Sequence, residues 1–279
     1  FVLILPWLIG FCIFKLYPFV SSLVYSFTDY DLFKGVQNVV GFQNYIDAFT
    51  KAKNVKALKV TFTYAFMTVP LKLIFALFIA YILNFKIKGV GLFRTAYYVP
   101  SILGGSVAIA VLWKVVNTIL TMLGFESINF LADKNWALFI ICLLRVWQFG
   151  SAMVLFLAAL KGVPEDLYEA ASIDGATKGR QFLSITIPLI SPVIFYNLVT
   201  QLVQAFQEFN GPYIITNGGP RNATTLISVI VYNTAFKDYK VGMSSAMAWV
   251  MFVIVMILTI IAFVSQKKWV YYSDDDGRG

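Results

Sequence analysis

Ionisable side chains are so sparse in this 279-residue chain that six long apolar stretches pass with at most one of them each. These are residues 1–26, 60–84, 95–116, 136–160, 183–207 and 241–266, interrupted only by Lys15, Lys72, Lys114 and Arg145. About 20 mainly apolar residues suffice for a helix to cross a bilayer. In lipid every backbone N–H and C=O must find a partner within its own segment or barrel, so runs of this length read as helices. A membrane barrel would instead show short strands alternating apolar and polar residues, and these runs do not alternate. The expected fold is therefore an all-α integral membrane protein with six transmembrane helices in a single domain, residues 1–272, followed by a disordered polar tail, residues 273–279.

Composition narrows the function. Charged residues make up 13% of the chain and hydrophobic residues 59%, against about 25% charged for a soluble domain. The net charge of +8 comes from basic residues scattered through the loops, as expected beside lipid headgroups and not for nucleic acid, so no nucleic-acid partner is predicted. Histidine is absent, which removes Ser-His-Asp chemistry and His metal sites and disfavours a membrane-embedded enzyme. No catalytic residue or metal site is predicted. Cys12 and Cys142 lie in apolar runs and are expected as buried free thiols. The chain begins at Phe1 inside an apolar run, without a basic leader, and is expected to follow a polar N-terminal segment and to carry no signal peptide. No G-x-x-x-x-G-K-[ST] loop occurs, so the chain is not expected to bind ATP. Asn222-Ala223-Thr224 matches a glycosylation sequon, to which no role is assigned.

The Lys and Arg residues divide evenly between the two sides, so charge alone does not orient the helices. The loop over 27–59 is long enough to hold its own helix, and 41–49 with the lysines after it suits the membrane surface. The stretch PEDLYEAASIDGATKGRQFLSITIPLISP, from Pro164, is the most informative loop. Pro164 can open a helix, Glu165, Asp166 and Glu169 suit its positive end, and Gly175 can end it or allow close backbone contact. Pro188 and Pro192 fall near the entry of the fifth span. The expected result is a short helix outside the lipid, tied to two membrane helices.

Glu169-Ala170-Ala171, Asp174-Gly175-Ala176, then Phe182, Ile185 and Pro188 resemble the EAA loop of binding-protein-dependent importer permeases. The resemblance covers nearly the whole chain and narrows to the carbohydrate branch, similar to maltose and glycerol-phosphate permeases. Leu5-Pro6, Tyr17-Pro18, Ser26-Phe27, Gly41-Phe42-Gln43-Asn44-Tyr45, Phe93-Arg94 with Pro100, Tyr213 to Thr216 and Gly218-Gly219-Pro220 carry it. By residue pattern alone, the Gly218-Gly219-Pro220 stretch is a sharp turn. The resemblance implies a type I ABC importer permease fold in a bacterial inner membrane, with both termini cytoplasmic. It implies a cytoplasmic coupling loop, residues 161–181, in which Glu165, Tyr168, Glu169, Ala170, Ala171, Asp174, Gly175 and Ala176 engage an ATPase. It also implies a second homologous permease subunit, forming a heterodimer, two ATPase subunits carrying ATP and Mg, an extracytoplasmic solute-binding protein and a sugar substrate.

Polar residues inside membrane helices usually face the bundle or a wet path. Asn197, Gln201, Gln204 and Glu208 follow i, i+4, i+7, i+11 and so share one helical face; Gln207, Asn210 and Tyr213 follow. Amides suit sugar hydroxyls and aromatic faces suit sugar rings. Arg145 and Gln148 share a face of the fourth span, and Ser244, Ser245 and Trp249 of the sixth are expected near the same path. Lys72 and Lys114 are expected to snorkel or to meet carbonyls, and Arg145 raises the hypothesis of an acidic sugar. The competing function is an ion-gradient-driven secondary transporter. It calls for buried acids and inverted repeats, and the spans carry almost no acids and no visible repeat.

Overall fold

The computed structural model describes residues 4–36, 38–85, 90–102, 115, 118–124 and 131–272. The described residues are helical, joined by loops with isolated β-bridges only. Among the described residues, four helices are long and apolar enough to cross a membrane: α1 Leu5–Ser26, α3 Ala52–Asn84, α8 Lys178–Phe206 and α11 Val241–Gln266. The pair α5 Ala137–Trp147 and α6 Gly150–Lys161, which meet at 44°, makes a fifth if counted as one span. Between these lie α2 Gln43–Thr50, α4 Val90–Ile102, α7 Glu165–Ile173, α9 Asn210–Thr216 and α10 Ile227–Phe236. Most of the expected third span, with Lys114, residues 86–89 and the tail at 273–279 lie outside the described residues.

The helix α3 is the central post. Its buried residues, among them Ala57, Thr61, Tyr64, Ala65, Thr68, Leu73, Ala76, Ala80 and Leu83, recur every three or four positions, which is one face of an α-helix. Four of them are alanine, and small side chains let helix backbones approach closely in lipid, where packing and not water exclusion holds helices together. Helices α5, α6 and α8 pack on this face, around Tyr64, Phe149, Met153, Phe156 and Phe206. A second cluster of Ala57, Ile227, Ile230, Met247 and Val250 joins α3 to α10 and α11. By contrast α1 rests mainly on α11, through Phe19 on Trp249 at 4.7 Å and the Trp249 indole N–H donated to Ser22 at 3.2 Å.

Several expected boundaries shift for local reasons. The second span was expected to begin at residue 60, but α3 starts at Ala52, because 52–59 contains no breaker and Lys53, Lys56 and Lys59 extend the helix past the apolar run. The expected fourth span is broken at Gln148, whose backbone leaves the helical region (φ −83, ψ 39). The fifth begins earlier, at Lys178, and ends at Phe206. Both α1 and α8 contain a wide π-turn, at Cys12–Leu16 and Phe182–Thr186. Each lies just ahead of a proline, Pro18 and Pro188. A proline lacks the N–H and its ring presses on the carbonyl four residues back, so opening the preceding turn relieves the clash while keeping the helix continuous. Cys12 was expected to be buried but is exposed, because α1 buries nothing before Ser26; Cys142 is buried, and both are free thiols.

Gly150 sits where α6 crosses α4. A β-carbon there would lie 2.3 Å from Ser101 Oγ and 2.6 Å from the Tyr97 carbonyl oxygen. Gly150→Val is expected to destabilise the bundle by about 1–3 kcal/mol. Gly91→Ala on α4 meets nothing within 4 Å and is expected to leave stability unchanged or raise it by up to about 1 kcal/mol. Thermal unfolding of both variants in detergent checks the contrast.

Candidate functional site

Two regions hold the residues singled out by sequence. The first is the surface helix α7. Pro164 lies one residue ahead of it, in extended conformation, as its N-cap; Glu165 and Asp166 occupy the first turn, where the helix dipole favours acids. The end of α7 is a Schellman motif. The Gly175 N–H donates to Ser172 O at 3.1 Å and the Ala176 N–H to Ala171 O at 2.9 Å, with Gly175 at φ +75. This is the arrangement that closes a helix on a left-handed residue. Nothing lies within 4 Å of a β-carbon built on Gly175, so of its two expected roles it ends the helix and makes no close contact. Thr177 then caps the start of α8, its Oγ accepting from Arg180 N at 3.4 Å.

The corner between α7 and α8 is locked from inside by Gln181, which is 3% exposed. Its amide N–H groups reach Ser172 Oγ at 2.8 Å and Ala176 O at 3.2 Å, and its carbonyl accepts from Lys178 Nζ at 3.2 Å. The Tyr168 hydroxyl is 2.7 Å from Thr186 Oγ, one turn further along α8. Among the expected coupling residues, Tyr168, Ala171 and Ala176 are half-buried toward the bundle, while Glu165, Glu169, Ala170, Asp174 and Gly175 are exposed. Beside them Ile173 is 87% exposed. A cavity of about 560 Å³ opens between α7, α8 and the end of α3, lined by Tyr81, Phe85, Glu165, Tyr168, Glu169 and Phe182 among others. Gln181 was missed by sequence reasoning; a single amide in a charged loop gives no sign that it will be buried.

The second region lies where α3, α5 and α8 meet. Asn197 and Gln201 are buried and Gln204 is exposed, but α8 stops at Phe206, so Glu208 is not on a continuous helical face with them. A loop returns Glu208 to the same cluster. Its Oε2 lies 3.4 Å from Arg145 Nε, and its Oε1 accepts the Gly211 N–H at 3.0 Å, in the first turn of α9. Ser228 donates its hydroxyl to the Glu208 carbonyl. Arg145 also donates to Gln148 Oε1 at 2.7 Å and to Gln204 Oε1 at 3.4 Å. Lys72 does not snorkel: it is 3% exposed, and its Nζ donates to a side-chain carbonyl, Gln201 Oε1, at 2.7 Å. The Gln201 partner was not legible, because the two residues lie on different helices.

Other expected path residues turn elsewhere. Asn197 spends its amide on the Val193 carbonyl of its own helix, at 3.1 Å. Ser244 donates to Val231 O at 2.9 Å, Ser245 is buried, and Trp249 faces α1. Gln207 and Asn210 are exposed at the end of α8 and the start of α9. Tyr213 stacks on Phe209 at 4.7 Å and abuts Tyr232 at 5.1 Å, with Lys237 over its ring at 5.2 Å. Tyr232 comes from α10, an apolar segment too short to be read as a span.

Residues 48–269 match the profile of the family described as binding-protein-dependent transport system inner membrane component. The chain is 45% identical to the probable ABC transporter permease protein YesP of Bacillus subtilis, over 97% of this chain and 91% of that protein. It is 33% identical to the trehalose/maltose transport system permease protein MalF of Thermococcus litoralis, over 94% and 91%. Its fold superposes on a chain of a bacterial alginate ABC transporter with a TM-score of 0.82 at 22% identity, covering 96% of this chain and 93% of that one. A profile spanning most of the chain, close relatives aligned nearly end to end and a shared type I permease fold agree: this protein belongs to the family of binding-protein-dependent transport system inner membrane components.

Proposed function

We propose that this chain is the membrane-spanning permease subunit of an ATP-driven importer that carries a sugar or oligosaccharide across a bacterial inner membrane. The observation that carries this reading is α7, a short helix with an exposed acidic and apolar face, rigidly cornered onto α8 by Gln181 and Tyr168. A helix held this way transmits displacement into the bundle without bending at its joint. The names of relatives at 31% and 33% identity, a multiple sugar-binding transport system permease of Streptococcus mutans and the trehalose/maltose permease, support a carbohydrate.

On this reading α7 lies in the cytoplasm, both termini share that side, and Glu165, Glu169, Ala170, Asp174 and Ile173 face an ATPase subunit. ATP and Mg are held by two such subunits and not by this chain. A second, homologous permease completes the path, and an extracytoplasmic binding protein delivers the sugar to the face where Gln204, Glu208 and Tyr213 lie. Closure of the ATPase pair must favour one orientation of the bundle over the other, or hydrolysis would not be coupled to transport.

Two variants separate gripping from transmission. Gly175→Val forces a β-branched residue to φ +75, a conformation costing roughly 1–2 kcal/mol for residues with a β-carbon, and so misplaces the end of α7. Together with Glu169→Lys on the exposed face, it is expected to lose the ATPase during co-purification and to abolish uptake. Retention of both activities would refute the reading. Gln181→Ala removes the internal brace but none of the exposed face. It is expected to keep the ATPase bound while substrate-stimulated hydrolysis falls severalfold, measured in proteoliposomes.

A further inference from the structure

The interior cluster around Arg145 holds two basic side chains, Arg145 and Lys72, and one carboxylate, Glu208. Among the described residues, none of the helices α1, α3, α4, α5, α6, α8 and α11 contains an Asp or Glu. Glu208, just beyond α8, is the carboxylate that meets Arg145, while Lys72 donates to a neutral amide. The amides that hold the two basic side chains, Gln201 and Gln204, are three residues apart on α8, about one helical turn.

The guanidinium is gripped unevenly. It makes one short contact, 2.7 Å to Gln148 within its own segment, and two long ones of 3.4 Å to Gln204 and Glu208. Glu208 is itself committed on its other oxygen to the Gly211 N–H. The Arg145 side chain remains 25% accessible and Glu208 11%, and Gln204 beside them is exposed. Arginine stays charged and offers a planar fork of five donors that matches a carboxylate. Here that fork is oriented by Gln148 and Glu208 yet has capacity left on its open edge.

We infer that Arg145 is a specificity-determining contact for a carboxylate on the transported sugar, so that the substrate class is acidic sugars, of which uronic acids are the probe. This inference rests on the importer reading. Gln204 supplies a neighbouring amide for a hydroxyl of the same residue. Glu208 keeps the guanidinium aligned between transport events.

The test uses the complete transporter in proteoliposomes, with a panel of galacturonate, glucuronate and mannuronate oligosaccharides, each beside its carboxyl-reduced neutral form. ATP-dependent uptake and binding, followed by tryptophan fluorescence, are measured for both members of each pair. A charge-assisted pair predicts that at least one acidic member is preferred over its reduced form by about tenfold or more. Arg145→Gln should reduce that preference to under about twofold. Arg145→Lys, which keeps the charge opposite Glu208 and so protects the fold, should retain only part of it, because the fork is lost. Equal handling of acidic and reduced sugars, or a preference that survives Arg145→Gln, overturns the inference while leaving the importer reading intact. Failure to accumulate any of these sugars with ATP also overturns the inference, and the importer reading falls with it only if the chain in addition fails to hold an ATPase on co-purification.

Discussion

The joint between α7 and α8 is the contact on which the rest of the account depends. A nine-residue surface helix would be marginal on its own. It is fixed here at its C-terminal end, by the cap at Gly175 and by a buried amide behind the corner. The Schellman closure at Gly175 turns the chain through the corner, Thr177 restarts it, and Gln181 fills the inside of the bend with hydrogen bonds to both limbs. Net hydrogen-bond contributions of about 1 kcal/mol each are modest. Their importance is geometric, because a loose corner would dissipate any push applied to α7 before it reached the spans.

Beyond the corner, that push would meet a bundle with deliberate irregularities. The π-turn at Phe182–Thr186 lies at the root of α8, where Tyr168 also attaches through Thr186. The break at Gln148 lies next to Arg145, and the 44° bend between α5 and α6 directs both halves against α3. Local departures from α-helical bonding concentrate where helices must move or where polar side chains gather. By contrast α3 runs as one 33-residue helix through Pro70, its alanine-rich face packed closely on its neighbours.

Much of this was legible in the sequence, for physical reasons. Lipid tolerates few charges, so the spans follow from the spacing of Lys15, Lys72 and Arg145 and need no tertiary information. The α7 helix and its stop are local as well, since Pro164, the acids after it and Asp174-Gly175 each act within a few residues. What failed to show was long-range. Nothing near Lys72 names Gln201 as its partner, 129 positions away. The i, i+4 count that put Glu208 on a face with Asn197 assumed a helix that in fact ends at Phe206, and Glu208 reaches Arg145 by way of a loop. Trp249 could not be assigned a direction from sequence, because its packing against Ser22 and Phe19 depends on where α1 docks.

The central claim is that α7 is gripped on the cytoplasmic side by a separate ATPase. The most direct test places one cysteine at Ile173, the most exposed of the large apolar residues on α7, after replacement of Cys12 and Cys142. In right-side-out vesicles a membrane-impermeant thiol reagent should fail to label it, and in inverted vesicles it should label it unless the ATPase is bound. A bifunctional reagent should then join position 173 to the ATPase. Labelling from the outer face, or unchanged labelling in inverted vesicles with and without the ATPase, would contradict the account.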